Sequence, residues 1–230
     1  GVSLVISDVF KHPTVKAFAK VIDSNKKHTV SEIEVIKSRV NQPLSFAQKR
    51  LWFLAKLGQS KQYHIPHFLH INGQIDANIL EKSLNYLLQR HEVLRTNFHE
   101  DQGAVFQSIS ENRKIQIELK NADKENVQGV CNAFMQKPFD LTKDLLIRSI
   151  LIRTDADTSV FGLSIHHIVF DGWSMSIFMN ELQKVYDAYL GEANVELPEL
   201  TLQYLDYAVW QDNRSSGDAE TQKLQYWKDH

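Results

Sequence analysis

The stretch SVFGLSIHHIV (159–169) constrains the fold of this chain more than any other. A half-buried strand alternates apolar and polar residues. This one is apolar on both faces, so it belongs in the middle of a sheet covered on both sides. LLIRSILIRT (145–154) lies just ahead of it across the turn DADT and is its natural neighbour. The central strand carries two adjacent histidines, His166 and His167, and runs into Asp171-Gly172-Trp173-Ser174.

The remaining elements follow from periodicity and punctuation. Ser45 and Gln48 fit a capping box that opens a helix over 46–57, and Gly58 stops it. A strand is expected near 67–73, ended by Asn-Gly. Asp76 can cap a helix over 77–90, whose Leu80, Leu84, Leu87 and Leu88 share one face. Strands are expected near 95–100, 103–110 and 115–120, with Asp101–Gly103 as a hairpin turn. A helix over 123–136 and the loop PFDL (138–141) come next. Ser174 stands ahead of a helix in which Phe178, Leu182, Val185 and Tyr189 form a stripe, and Gly191 ends it. Two more helices are expected over 201–212 and 218–229. Strands and helices mix without strict βαβ alternation, so the fold class is α/β, with a mixed sheet packed with helices.

Ahead of this body, residues 1–23 read as a short helix, a His12-Pro13 turn and a second helix over 13–23. They bury too little to stand alone and look like the end of a domain that begins upstream. The polar stretch 24–43 reads as a linker closed by Pro43. The main body is 44–230.

Composition narrows the function classes. The net charge is −2, with 23% charged and 43% hydrophobic residues, an ordinary globular balance without a basic block for nucleic acid. A single cysteine, Cys131, allows no internal disulfide, so a reducing, cytoplasmic setting is expected. No apolar run reaches the roughly 18–20 residues of a membrane span, and the first residues are not expected to act as a signal peptide. The expected partners therefore include no nucleic acid and no membrane.

The chemistry candidates are few. On a strand, His166 and His167 point to opposite faces and cannot easily share a metal ion. His64, His67 and His70 are interrupted by Pro66, so no metal is expected there either. Cys131 reads as a buried, inert thiol. No GxSxG elbow, Walker loop or dinucleotide fingerprint is present. A core histidine satisfied by backbone is the plain explanation of the pair. Its surroundings point further: the pair stands at a strand exit, a tight Asp171-Gly172 turn follows, and a helix N-terminus begins near Ser174. One imidazole, one carboxylate and open N–H groups make a plausible acyl-transfer site. No serine or cysteine is placed as nucleophile, so an amine or hydroxyl would attack the acyl donor directly.

HHIVFDG (166–172) resembles the HHxxxDG signature shared by chloramphenicol acetyltransferases, acyl-CoA-dependent acyltransferases and the condensation domains of non-ribosomal peptide synthetases. Three further stretches resemble condensation domains in particular: LSFAQKRLWFL (44–54), RHEVLRTNF (90–98) and YLDYAVWQ (204–211). PFDL and YHIP fit their places, and DVFKHPTVKAFAKVI (8–22) is similar to the end of a peptidyl carrier domain.

The resemblance implies a chloramphenicol acetyltransferase-like lobe over 44–230, preceded by a carrier-domain remnant (1–23) and a linker (24–43). Condensation domains have two such lobes, so the second lobe is expected to lie outside this chain. The implied reaction joins an upstream carrier-bound acyl or peptidyl thioester to the amine of a downstream carrier-bound aminoacyl thioester. Both substrates ride on 4'-phosphopantetheine arms, and the serine that would bear the upstream arm is not in this sequence. Upstream and downstream carrier domains and an adenylation domain are the implied partners. His167 is the implied catalytic residue, as base or as a group orienting the amine. Asp171 is expected to hold the turn through an arginine, and Gly172 to leave room for the arm and offer its N–H. His166 is read as structural. Arg90 and Arg95 are candidate partners of Asp171 or of the site, or else charges favoured at a helix C-terminus. Ser174 starts the helix, and Trp52, Trp173, Trp210 and Trp227 are expected to pack. An L-donor subtype is preferred. An epimerisation-type domain, a stand-alone acyltransferase and an isolated lobe inactive by itself are the alternatives.

Overall fold

The computed structural model describes residues 2, 4, 6–25, 32–215 and 228. Two compact units divide the chain, Gly1–Ile33 and Glu34–His230. The helix expected over 218–229, with Trp227, lies outside the described residues apart from Lys228.

The first unit holds α1 (Ile6–Lys11) and α2 (Val15–Ser24). Thr14 caps α2, its hydroxyl accepting from the Ala17 N–H at 3.2 Å, so the helix starts just beyond Pro13. Neither helix buries a side chain, and Ile6, Phe10 and Val15 are exposed.

The second unit runs β1 (Gln42–Pro43), α3 (Phe46–Leu54), β2 (His64–Asn72), α4 (Ala77–Arg90), β3 (Thr96–Asp101), β4 (Ala104–Ile109) and β5 (Ile117–Asn121). It continues with α5 (Val127–Met135), β6 (Ile147–Arg153), β7 (Thr158–His166), α6 (Gly172–Leu190) and α7 (Tyr204–Ser215). The main sheet has the order β2-β7-β6-β5. β7 pairs antiparallel with both neighbours, and β5 pairs parallel with β6, so the sheet is mixed. β7 is an inner strand, as its two-sided apolar pattern requires. A smaller sheet has the order β1-β4-β3. Its β3–β4 hairpin turns on Gln102 and Gly103, both at positive φ, the geometry of a tight two-residue turn.

Both faces of the main sheet are covered. Phe161, Leu163 and Ile165 of β7 join Leu84, Leu87 and Leu88 of α4 and Leu182 and Val185 of α6 in the larger core. On the opposite face Val160, Ile150 and Ile152 pack on Cys131 and Phe134 of α5. Burial raises the pKa of the Cys131 thiol, in keeping with an inert, packed role.

The start of β2 and the bounds of the linker differ from expectation. β2 begins at His64 rather than 67, because Tyr63 ends a pair of irregular turns (55–63) broken at Gly58, φ +79°. Residues 34–43, expected as linker, belong to the packed body. Arg39 pairs with Asp206 of α7 at 2.6 Å and with Glu92 at 3.1 Å, and the Ile36 N–H donates to Asp206 at 2.9 Å. A polar segment whose partner on α7 sits more than 160 residues away reads as linker in one dimension only.

Candidate active site

β7 ends at His166, and His167 is already in the following turn. The two imidazoles therefore separate through a change of backbone direction, not through strand alternation. His166 is fully buried. Its Nδ1 accepts from the Ile168 N–H at 3.2 Å, so the neutral ring carries its proton on Nε2, which donates to the Ser60 hydroxyl at 3.1 Å. Burial, reinforced by nearby His64 and His167, pushes its pKa down to about 4. Both nitrogens are thus spoken for, and the structural reading of His166 fits these contacts. His64, its cross-strand partner, stacks edge-on with centroids 5.8 Å apart.

His167 is held by its backbone and left free at its ring. Its N–H donates to the Tyr63 carbonyl at 2.8 Å, and its own carbonyl accepts from the Phe170 N–H at 3.4 Å. The imidazole is exposed and makes no hydrogen bond to a described residue. It opens onto a cavity of about 180 Å³ walled by Gln48, Leu51, Val93 and Tyr204, with Asp171 and Ser174 at its edge. All four sequence stretches meet here, although they lie far apart in the chain. The Tyr204 hydroxyl lies 2.9 Å from the Ser45 hydroxyl, and burial raises its pKa. Tyr204, Gln48 and Val93 stand in the quoted stretches, but nothing in their spacing singles them out as cavity walls.

Asp171 does not pair with an arginine among the described residues. Its carboxylate caps α6 instead, accepting from the Ser174 N–H at 2.8 Å and the Ser174 hydroxyl at 2.6 Å. Those two bonds, the hydroxyl first, hold its pKa below the usual carboxylate range. The Ser174 hydroxyl donates to Asp171 and the Tyr204 hydroxyl bonds Ser45, so among the described residues no hydroxyl of the cavity bonds the His167 ring. Gly172 opens α6, and a methyl group added there would meet only open space within 4 Å. Trp173, expected to pack, is instead 83% exposed, because α6 turns that face away from the core. Trp52 is buried, and Trp210 is half-buried with the Arg214 guanidinium 4.7 Å over its ring.

The two arginines work elsewhere. Arg90 donates to Glu181 of α6 and to the Pro198 carbonyl, the latter at 2.6 Å. Arg95 donates to the carbonyls of Leu88, Gln89 and Ser110, satisfying the free end of α4. The helix-end reading is supported by the contacts of Arg95, whereas Arg90 is taken up by Glu181 and the Pro198 carbonyl. Among the described residues no group of three or more His, Cys, Asp or Glu could hold a metal ion. No described helix is long and apolar enough to cross a membrane.

Comparison with known proteins adds to this geometry. A family model described as the condensation domain matches residues 38–230. Tyrocidine synthase 3 of Brevibacillus parabrevis is 35% identical over 227 residues, covering 98% of this chain and 3% of that protein. Malpinin synthetase of Mortierella alpina is 38% identical over 239 residues, covering 99% of this chain and 3% of that protein. Among solved structures, the X-domain from teicoplanin biosynthesis superposes with a TM-score of 0.79 at 28% identity, covering 86% of this chain and 45% of that one. The starter condensation domain of the rhizomide synthetase RzmA does so at 0.74 and 21% identity, a likeness of fold, over 83% of this chain and 48% of that one. This chain thus spans under half of those solved structures and a few per cent of the synthetases.

Proposed function

This chain belongs to the condensation-domain family, and from that premise we propose that it forms the histidine-bearing lobe of an enzyme that makes amide bonds in non-ribosomal peptide synthesis. The amine of a downstream aminoacyl thioester attacks the carbonyl of an upstream acyl or peptidyl thioester. A C–N bond forms, the C–S bond breaks, and the proton lost by the amine ends on the departing thiol. Both substrates arrive on 4'-phosphopantetheine arms of partner carrier domains. The open space ahead of Gly172 suits the passage of such an arm.

The observation that carries this reading is the imidazole of His167, open to the cavity and bonded to no described hydroxyl. Such a group can hydrogen-bond the incoming amine and take its proton as the bond forms. Orientation alone can supply a large part of the rate. Asp171 acts at a distance, by fixing the start of α6 beside the histidine.

Several finer readings belong with this one. The first unit is the end of a carrier domain, and its exposed apolar residues would pack on the remainder of that domain. A second lobe closes the cleft over His167, so the lobe by itself is inactive. The donor is of the L type, the adenylation domain of the same synthetase supplies substrate, and the enzyme works in the cytoplasm. A docking role is the second reading, favoured by the X-domain, one structure of which is a complex with OxyB. In the complete module, His167→Ala should lower peptide formation by about two orders of magnitude. Near-normal turnover of a folded His167→Ala module would remove the histidine from catalysis and leave docking as the better account.

A further inference from the structure

A second cavity of about 130 Å³ adjoins the one that holds His167. Val93, Val169, Phe170 and Ser174 line both, so the two are neighbouring rooms with a shared wall. Beyond that wall the second room is lined by Leu94, by Ile177 and Phe178 of α6, and by the polar His91. Apart from His91 and Ser174 its lining is aliphatic or aromatic. Filling a recess with such walls removes apolar surface from water, so it favours an apolar guest. A volume of about 130 Å³ suits a branched aliphatic side chain of the size of valine or leucine.

The walls of this room are held firmly. His91 cannot swing across it, because its Nε2 is held by the Glu181 carboxylate at 2.6 Å. Glu181 is in turn gripped by Arg90, and Arg90 by the Pro198 carbonyl. Phe170 and Phe178 meet edge to face with ring centroids 5.8 Å apart. Ile177 is the softer element. It lines the cavity yet remains 48% exposed, so its size can be changed without opening the core.

Resting on the reading of His167 as the amide-forming residue, we propose that this second cavity is a side-chain subsite. It receives the branched aliphatic side chain of an amino acid whose thioester or amine lies at His167. An apolar room next to the reacting atoms discriminates by filling: one methylene more or less in such a pocket changes kcat/KM by about 10- to 200-fold.

The test uses the complete, carrier-loaded module. Peptide formation is measured with alanyl against leucyl substrate, varied first on the upstream carrier and then on the downstream one. Ile177→Trp, which fills the room, should lower the leucyl-to-alanyl ratio by about tenfold or more in one of the two arms. That arm identifies which substrate uses the subsite. Val93→Phe intrudes from the opposite wall and should shift the ratio in the same arm, which guards against a peculiarity of one variant. Unfolding temperatures confirm that each variant folds. If neither arm moves with either folded variant while the parent module forms peptide in a His167-dependent manner, the subsite is refuted and the reading of His167 stands. If the parent module forms no peptide, or forms it independently of His167, the reading of His167 fails first, and the subsite assigned to its substrates falls with it.

Discussion

At the scale of single residues, the paired histidines divide their work by burial. His166 is sealed between Ser60 and the Ile168 N–H, whereas His167 shows its ring to the cavity. The sealed one titrates against folding. Its pKa falls from 6.5 to about 4 on burial, so the unfolded chain binds a proton more readily than the folded one. The favourable contribution of a neutral His166 is therefore full above pH 6.5. It is lost progressively as the pH falls from 6.5 toward 4, below which no further loss occurs. Between pH 7 and pH 5 this should remove about 2 kcal/mol of stability. His64, whose pKa burial also lowers, adds to the same slope. Replacing His166 by Asn keeps an acceptor near the Ile168 N–H and removes the titration. Urea unfolding at the two pH values should then show a smaller difference for His166→Asn than for the parent chain. Equal differences would mean that His166 does not carry the effect. The resemblance implied different roles for the two rings, but the physical cause was not legible in the sequence, because it depends on where β7 stops and on a partner, Ser60, more than a hundred residues away.

At the scale of elements, periodicity was a good guide and partnership was not. The bounds of α4 and its N-cap Asp76, the β3–β4 hairpin and the capping box at Ser45 were legible because each is a local arrangement of neighbours. The inner position of β7 was legible because two-sided apolarity has one structural solution. The partners of Asp171, Arg90 and Arg95 were not legible. A carboxylate near a turn fits a cap as well as an ion pair, and only the third dimension decides. Gly162 shows the same limit. In the sequence it is one small residue in a strand; in the sheet it lies between Phe68 of β2 and Ile150 of β6. A methyl group there would stand 2.5 Å from the Phe68 ring and 2.8 Å from the Ile150 side chain. Gly162→Ala should accordingly destabilise the body by about 1–3 kcal/mol through overpacking. Shortening the obstacle tests the cause: Phe68→Leu in the Gly162→Ala background should cost less than it does alone, a coupling that a double-mutant cycle reads directly. Strictly additive losses would show that the contact with Phe68 is not the reason.

At the scale of the whole molecule, one buried carboxylate ties the start of the second unit to the rest of it. Asp206 is 1% exposed, and burial alone would raise its pKa. Arg39, with the N–H groups of Gln203 and Ile36, more than offsets that and keeps it ionised. Two of those three partners, Arg39 and Ile36, come from the stretch ahead of β1, which a reading of composition assigns to a linker. Arg39 also reaches Glu92, so one guanidinium ties this stretch to α7 and to the turn after α4. The Arg39 carbonyl accepts from the Ile109 N–H at the end of β4. A chain beginning at Glu34 keeps all of these contacts and should unfold at the same denaturant concentration as the body of the full chain. A chain beginning at Leu44 loses β1 and two of the three groups that bond the Asp206 carboxylate, Arg39 and the Ile36 N–H. Removing the charged partner of a buried ion costs about 3–5 kcal/mol, so the shorter chain should be markedly less stable or fail to fold. Arg39→Ala in the longer chain isolates the same interaction, with a loss of about 3 kcal/mol. Adding Asp206→Asn should recover part of that loss, since a neutral amide needs no counter-charge. If the chains beginning at Glu34 and Leu44 were equally stable, residues 34–43 would be linker in energy as well as in composition.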